Sequence, residues 1–345
     1  MRIPRRFCLY LYLMGLALAV GVCAHARAQA ALLMEDADGF SRSLDPTGHE
    51  AIYFARICAA SPAQLRRCTP GESGVVISRY KGIAGYDWLA VPLIPYLYSV
   101  DQAFAVPARV DQATVDKMRG RYHETHLMSL GEDVPQGGRI QRGWNQLVGA
   151  AYERRIYAFR FETTEAQDDA FIAWMNDAAN RSHFNILFGN CSNFADQVLN
   201  FYFPHTFRRR ILPDGGIVTP RQVAYELVRY ARRHPEIDLT VLEIPQVPGY
   251  RRPSRPGESV AESLTVSGYV LPIAALNPIV AAGLVGDYLV WGRYPLPLKQ
   301  AQIVSPEDMA PLKNSTSTAQ SPPQPLEPDG VLSYKGSGLN PPDIQ

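Results

Sequence analysis

Ser182 to Pro204, SHFNILFGNCSNFADQVLNFYFP, constrains this chain more than any other stretch. Phe184 to Phe188 is an apolar run of strand length, and Gly189 and Asn190 break it. Cys191, Phe194, Ala195, Val198, Leu199 and Tyr202 then recur with the period of an amphipathic helix, which Pro204 stops. Asn190 is a favoured N-cap, so Cys191 becomes the first helical residue. A thiol there sits among backbone N–H groups without intrahelical acceptors, at the positive end of the helix dipole. Both favour the thiolate, and the same N–H groups suit an oxyanion. A cysteine heading an apolar stripe is equally a buried packing residue, and the pattern alone does not separate the two.

The usage of cysteine adds weight to reactivity. Residues 1–30 read as an export leader: Arg2, Arg5 and Arg6, an apolar run from Phe7 to Ala24, then Ala24, Ala26, Ala28 and Ala30 as A-x-A cleavage sites, with a cut expected after Ala30. A lipoprotein site at Cys23 is disfavoured by Val22, and an uncleaved anchor is the minor alternative. The leader takes Cys8 and Cys23 with it. In an oxidising compartment Cys58 and Cys68 are close enough in sequence to pair, which leaves Cys191 as the odd thiol. The leader also holds four of the 34 basic residues, leaving 30 against 33 acidic ones. A mature chain of about 315 residues with a slightly negative balance has room for one or two domains and gives no support for nucleic-acid binding.

After a polar lead, Ala31 to Gly48, alternation from His49 to Ile57 predicts a strand with both faces apolar. Gly74 to Tyr80 predicts a second, paired with the first across a turn-rich loop, so that His49 lies beside Tyr80 or Lys81. Tyr86 to Val110 is aromatic, and Pro92, Pro95 and Pro107 exclude one regular helix. Its Trp88, Tyr96 and Tyr98 suit either a groove or membrane interface, or burial on the sheet. Ala113 to Gly120 is a short helix. His123 and His126 lack the zinc-protease spacing and a third ligand, and read as a solvated turn. Arg155 to Thr163 alternates as a strand. Thr164 and Gln167 form a capping box that opens a helix with Ala170, Phe171, Trp174, Met175 and Ala178 as its stripe.

The early GHEAIYF and the later HFNILFGNCSNFADQVL together resemble the circularly permuted papain-like, NlpC-type cysteine enzymes and the lecithin:retinol acyltransferase-like proteins, with histidine first and an N-C-x-x-F helix later. The run ERRIYAFRFETTEAQDDAFIAWMN also resembles an exported bacterial family of largely uncharacterised proteins, some relatives of which are thought to transfer lipoprotein acyl groups. The resemblance covers Gly48 to Pro204. It implies an α+β fold, an antiparallel sheet packed against a Cys-bearing helix, with Cys191 as nucleophile and His49 as base. The wide spacing of the pair makes residues 86–150 an insertion. His183 and His205 are rival bases placed less well, and Ser78, Tyr80 and Glu50 are neighbours of His49 with no role assigned.

Beyond Pro204, Thr219 to Gln222 opens another helix, with proline at its first position. Val223, Ala224, Leu227, Val228 and Ala231 form its stripe, and Ile237 to Ile244 follows as a strand. Ser267 to Gly286 carries no charge, but Pro272, Asn277 and Pro278 interrupt it, so a buried helical pair or a membrane-leaning hairpin is expected rather than a span. The organisation expected is a leader (1–30), a papain-like domain (31–207), a mainly helical extension (208–303) and a disordered tail (304–345) rich in proline and serine. The functional expectation is an exported, periplasmic or envelope-associated cysteine hydrolase or acyltransferase. Its substrate would be a lipid-linked or membrane-proximal ester or amide, reached by peripheral contact with the membrane. The alternatives are an amidase or peptidase acting on cell-wall peptides and a non-catalytic envelope protein. No metal or organic cofactor is implied, and the oligomeric state is not read from the sequence.

Overall fold

The strand pairing predicted between 49–57 and 74–80 is the seed of a larger sheet. A computed structural model of the chain describes residues 28–37, 47–130, 135–136, 139–140, 143–208, 214–266, 270–290, 292–306 and 309. Most of the leader and of the tail therefore lies outside the described residues. The strands are β1 (Ala28–Glu35), β2 (His49–Phe54), β3 (Ile57–Ser61), β4 (Gln64–Arg67), β5 (Val75–Arg79), β6 (Trp88–Pro92), the two-residue β7 (Pro135–Gln136) and β8 (Arg139–Ile140), β9 (Ile156–Thr163), β10 (Thr240–Ile244) and β11 (Gln302–Ile303). Seven of them form one sheet in the order β11-β10-β9-β1-β2-β5-β6. Every pair in it is antiparallel except β10 with β11.

The centre of that sheet is β1, which was expected to be mostly a polar lead. Ala30 to Met34 are buried, and β1 is hydrogen-bonded to β2 on one side and β9 on the other. AQAALLME carries apolar residues on both faces, as a central strand requires. Its first residue is Ala28, inside the expected leader boundary. A cut after Ala26 leaves the whole strand in place.

The helices are α1 (Leu93–Tyr98), α2 (Gln112–Tyr122), α3 (Ala150–Glu153), α4 (Glu165–Asp177), α5 (Cys191–Tyr202), α6 (Pro220–Ala231), α7 (Val260–Val266), α8 (Val270–Leu276) and α9 (Pro278–Val290). The alternation along each strand divides the core in two. Ala31, Leu33, Ala51, Tyr53, Val76, Leu89, Val91 and Ala158 face the segment 93–152. Ala30, Leu32, Ile52, Phe54, Val75, Ile77, Phe159 and Phe161 face α4, α5 and α6. Fold class is thus α+β, an antiparallel sheet packed against the helix that Cys191 begins.

Other expectations are met with small shifts. The strand expected over 49–57 is two strands, and β3 with β4 forms a separate hairpin closed by the Cys58–Cys68 disulfide. Thr164 caps α4 in a reciprocal box with Gln167. The α4 stripe is carried by Phe171 and Met175, while Ala170 and Ala178 are exposed and the buried Asp168 takes a core position. That position is tenable because Asp168 Oδ1 accepts from Tyr202 Oη (3.1 Å) and Oδ2 from Arg56 Nε (3.3 Å). Trp88, Tyr96 and Tyr98 are buried. They belong to the edge strand β6 and to α1, with Pro95 in the helix's first turn, and none lines an open groove.

The described part of the uncharged stretch, from residue 270, forms α8 and α9, broken at Asn277, whose Oδ1 accepts from the N–H groups of Ile279 and Val280 (both 3.1 Å). Leu271, Leu276 and Ile279 are 72 %, 88 % and 82 % exposed, so this is not a buried pair. No helix among the described residues is long and apolar enough to cross a membrane. At the far end, Val304 and Met309 are buried in the core, inside the segment expected to be tail.

Candidate active site

Asn190 has extended backbone, and its Oδ1 accepts from Asn193 N–H (2.9 Å) while Asn193 Oδ1 accepts from Asn190 N–H (3.2 Å). This reciprocal cap fixes Cys191 as the first residue of α5. The Asn190 Nδ2 also donates to Val218 O (3.0 Å), tying the helix start to the segment before α6. Phe194, Ala195, Val198, Leu199 and Tyr202 are the buried stripe. Cys191 itself is half-buried and lies outside any disulfide.

The strand expected over Phe184–Phe188 is not formed. Asn185 Oδ1 accepts from the N–H groups of Leu187 (2.9 Å) and Phe188 (3.2 Å), and Gly189 N–H returns to Asn185 O (2.8 Å). An asparagine side chain that satisfies the local backbone competes with a strand ladder, and here it closes a turn. The turn leaves Ile186, Leu187 and Phe188 68 %, 43 % and 55 % exposed, three to five residues before Cys191.

His49 begins β2 opposite Glu35 of β1. Gly48 before it has φ +81°, and a Cβ there would lie 2.1 Å from Glu35 O, so only glycine lets the chain enter the strand this close to β1. The His49 Nε2 is 3.0 Å from Ser78 Oγ, and Ser78 Oγ donates to Glu50 O (2.6 Å). A hydroxyl has one proton, and the carbonyl can only accept, so Nε2 carries the hydrogen it shares with Ser78. That leaves Nδ1 as the basic nitrogen. The imidazole also stacks on Tyr80, with ring centroids 5.3 Å apart and planes 30° apart.

Tyr80 is in ring contact with His49 and feels the charge of a Cys191 thiolate. Its hydroxyl is pushed well above the usual tyrosine range, first by burial, then by the negative charges of Glu35 and of Cys191. Behind it, Tyr96 donates to Glu35 Oε1, and Arg154 Nε lies 3.6 Å from the other carboxylate oxygen. Burial raises Glu35 above the ordinary carboxylate value, against the pull of Arg154 and Tyr96.

Glu50 points to the opposite face of the sheet, beneath the first turn of α5. It is fully buried, and neither carboxylate oxygen has a hydrogen-bond partner among the described residues. Ser192 Oγ approaches it without completing a bond. Burial pushes Glu50 well above its ordinary value, and the charge of Asp196 adds to the shift.

Both rival histidines are exposed. His183 is exposed, with its N–H bonded to Asp87 Oδ1 (3.0 Å), and His205 is exposed beyond the far end of α5. His123 differs from the solvated turn expected of it. It is buried against Trp144 (centroids 4.2 Å), while His126 is exposed and pairs with Asp101. The one trio of metal-ligand types among the described residues, Cys58, Cys68 and Glu72, has both sulfurs consumed in the disulfide. Glu35 was missed in the sequence, and Tyr96 was named there without its bond to Glu35. The clue to Glu35 was the apolar alternation of AQAALLME, masked by the alanines read as cleavage sites.

No protein-family model matches the chain, and no curated protein sequence matches it. Comparison with solved structures finds the crystal structure of a type VI secretion system effector, TseH, at 10 % identity and a TM-score of 0.30, over 65 % of this chain and 95 % of that one. At so low a likeness neither residue roles nor an activity are carried over from it.

Proposed function

We propose that the protein is a cysteine enzyme of acyl transfer, with Cys191 as nucleophile and His49 as base. One observation carries the reading. His49, its Nε2 engaged by Ser78, stacks on the buried Tyr80, and the Tyr80 hydroxyl lies within electrostatic reach of the helix-start Cys191. In the reaction His49 Nδ1 takes the thiol proton and the thiolate adds to an ester or amide carbonyl. The N–H groups of the first turn of α5 hold the resulting oxyanion. The tetrahedral intermediate collapses as His49 protonates the departing alcohol or amine, and the acyl group on Cys191 passes to water or to an amine.

Exposed apolar surface supports a lipid-linked or membrane-proximal substrate. Ile186, Leu187 and Phe188 lie three to five residues before the nucleophile, and Leu271, Leu276 and Ile279 lie exposed on the α8–α9 pair. Trp88 to Tyr98, being buried, lends no support.

Iodoacetamide labelling of Cys191 against pH tests the dyad. We expect the rate to rise below the ordinary thiol value of about 8.5. His49→Ala should slow labelling at pH 7 by about tenfold or more, the equivalent of one unit of thiol shift. Ser78→Ala should fall between. A profile centred on the ordinary thiol value and unmoved by His49→Ala overturns the dyad. Turnover of a lipid-linked ester by the parent chain and not by Cys191→Ser then tests the substrate class.

A further inference from the structure

A second feature at this end of the molecule has no part in the chemistry above. A cavity of about 600 Å³ is lined by Arg109, Arg155, Glu243, Tyr250, Arg251 and Arg252, among others. Its wall is built on buried charge. Asp36, fully buried, accepts from Arg155 at Nε (3.0 Å) and pairs with its Nη2 (2.9 Å), and Ser254 Oγ donates to the same carboxylate (3.2 Å).

The loop 245–254 is held rigid. Gln246 accepts from Ser254 N–H (2.8 Å) and donates to Glu153 O (2.9 Å). Gly249, at φ +113°, passes so close to Val110 that a Cβ would lie 2.2 Å from its carbonyl oxygen. Arg251 lies over the Tyr250 ring at 4.2 Å and donates to its hydroxyl (2.9 Å).

The charges do not cancel. Asp36 and Glu243 answer Arg155, while Arg109 and Arg252 make no ion pair with a carboxylate among the described residues. Two unanswered guanidiniums match the charge of a phosphate monoester, about −1.5 to −2 at neutral pH. Their planar forks suit its oxygens.

The cavity and the candidate dyad share one end of the sheet. His49 pairs with Glu35, and Glu35 pairs with Ile156, the residue after Arg155. At about 4.8 Å per strand the two backbones are about 10 Å apart. The chain leaving the cavity runs from one to the other. Arg255 exchanges backbone hydrogen bonds with Ala37 (2.9 and 3.3 Å), and a Cβ on Gly257 would lie 2.6 Å from the carbonyl oxygen of Thr47, two residues before His49.

We propose that this cavity is an anion subsite, which holds a phosphate group of the substrate while its acyl carbonyl lies at Cys191. The placement of the acyl group rests on the dyad proposed above. The phosphate site does not. Calorimetric titration of the full chain carrying Cys191→Ser, with dihexanoyl phosphatidic acid and with inorganic phosphate as probes, tests it.

We expect saturable binding of both, tighter for the lipid. Arg109→Ala with Arg252→Ala should weaken both by about tenfold or more, with each single variant intermediate. The lipid should also slow iodoacetamide labelling of Cys191 in the parent chain, and inorganic phosphate should not. Absence of phosphate binding, or equal binding by the arginine variants, overturns the subsite. Binding of inorganic phosphate as tight as that of the lipid, with no protection of Cys191, marks a site for free phosphate and overturns its role in substrate binding. Failure of Cys191 to label faster than an ordinary thiol removes the dyad and leaves the calorimetric result standing.

Discussion

The two faces of the central sheet bury aromatic rings of different kinds. Toward the segment 93–152 the buried rings are Tyr53, Tyr80, Tyr96, Tyr98, Tyr122 and Tyr152, with no buried phenylalanine in that cluster. Toward α4, α5 and α6 they are chiefly Phe54, Phe159, Phe161, Phe171, Phe194, Phe203 and Phe207. The difference is one of directionality. A phenylalanine contributes area and tolerates any neighbour of suitable shape, while a buried hydroxyl must find a partner. Tyr53 donates to Ser73 O (2.8 Å), Tyr152 to Tyr98 O (2.6 Å) and Tyr96 to Glu35. The phenylalanine face clamps the Cys-bearing helix onto the sheet. The tyrosine face fixes the positions of the groups around His49. Adhesion and alignment are thus supplied from opposite sides of the same strands.

Substitutions on each face can break or sharpen this contrast. The largest effect is expected of Phe171→Ala, which empties a site bounded by Phe54 (4.9 Å), Tyr202 (5.4 Å) and Phe201 (5.5 Å). A loss of about 3–5 kcal/mol in denaturant unfolding is expected, nearly independent of pH. A loss below about 1 kcal/mol would mean that the phenylalanine face is not a tight clamp.

Tyr96→Phe keeps the ring and removes the donor to Glu35. It should cost about 1–3 kcal/mol at pH 8 and much less at pH 4. The folded-state value of Glu35 is already raised, and losing a donor raises it further. The added cost is therefore absent while the carboxyl is protonated and grows as pH rises through that value. Equal losses at both pH values would show that ring packing, not the hydrogen bond, is what Tyr96 contributes.

Glu50→Gln is the smallest of the three and has the opposite sign. Glu50 is the misfit of the phenylalanine face, raised well above 4.5 by burial. Its contribution is complete below that value and is lost as pH rises, so the amide should stabilise the protein at pH 8 and change little at pH 4. Destabilisation at pH 8 would reveal a partner for the Glu50 carboxylate and end the contrast at this position.

How far the sequence revealed this arrangement depended on whether the signal was local. The cap at Asn190, the box at Thr164 and Gln167, the 3.6-residue stripe of α5 and the Cys58–Cys68 pair were legible because each rests on residues within about a dozen positions of one another. A place for His49 beside Tyr80 or Lys81 followed from pairing two adjacent strands, and the imidazole stacks on Tyr80. Phe184 to Phe188 misled because apolar content was read without the asparagine that turns the backbone back on itself. Glu35, its bond from Tyr96 and the arginine cavity were not legible. Their partners are brought together by sheet register and by a loop that lies about 200 residues from β1 in the chain. Ser78 could be named as a neighbour of His49, but its hydrogen bond, and so the proton position on the imidazole, needed coordinates.

The place of β1 in the sheet also sets an order of assembly. This strand comes first among the described elements, yet one of its two neighbours, β9, begins 121 residues after β1 ends. A chain that emerges from its N-terminus presents an apolar ribbon with one side matched early by β2 and the other side bare until Ile156–Thr163 arrives. Such distant pairings close slowly, and an open apolar edge recruits other chains in the interval. Folding yield should therefore depend on how long that edge waits, and a holding chaperone that shields it should matter more than one that speeds local helix formation.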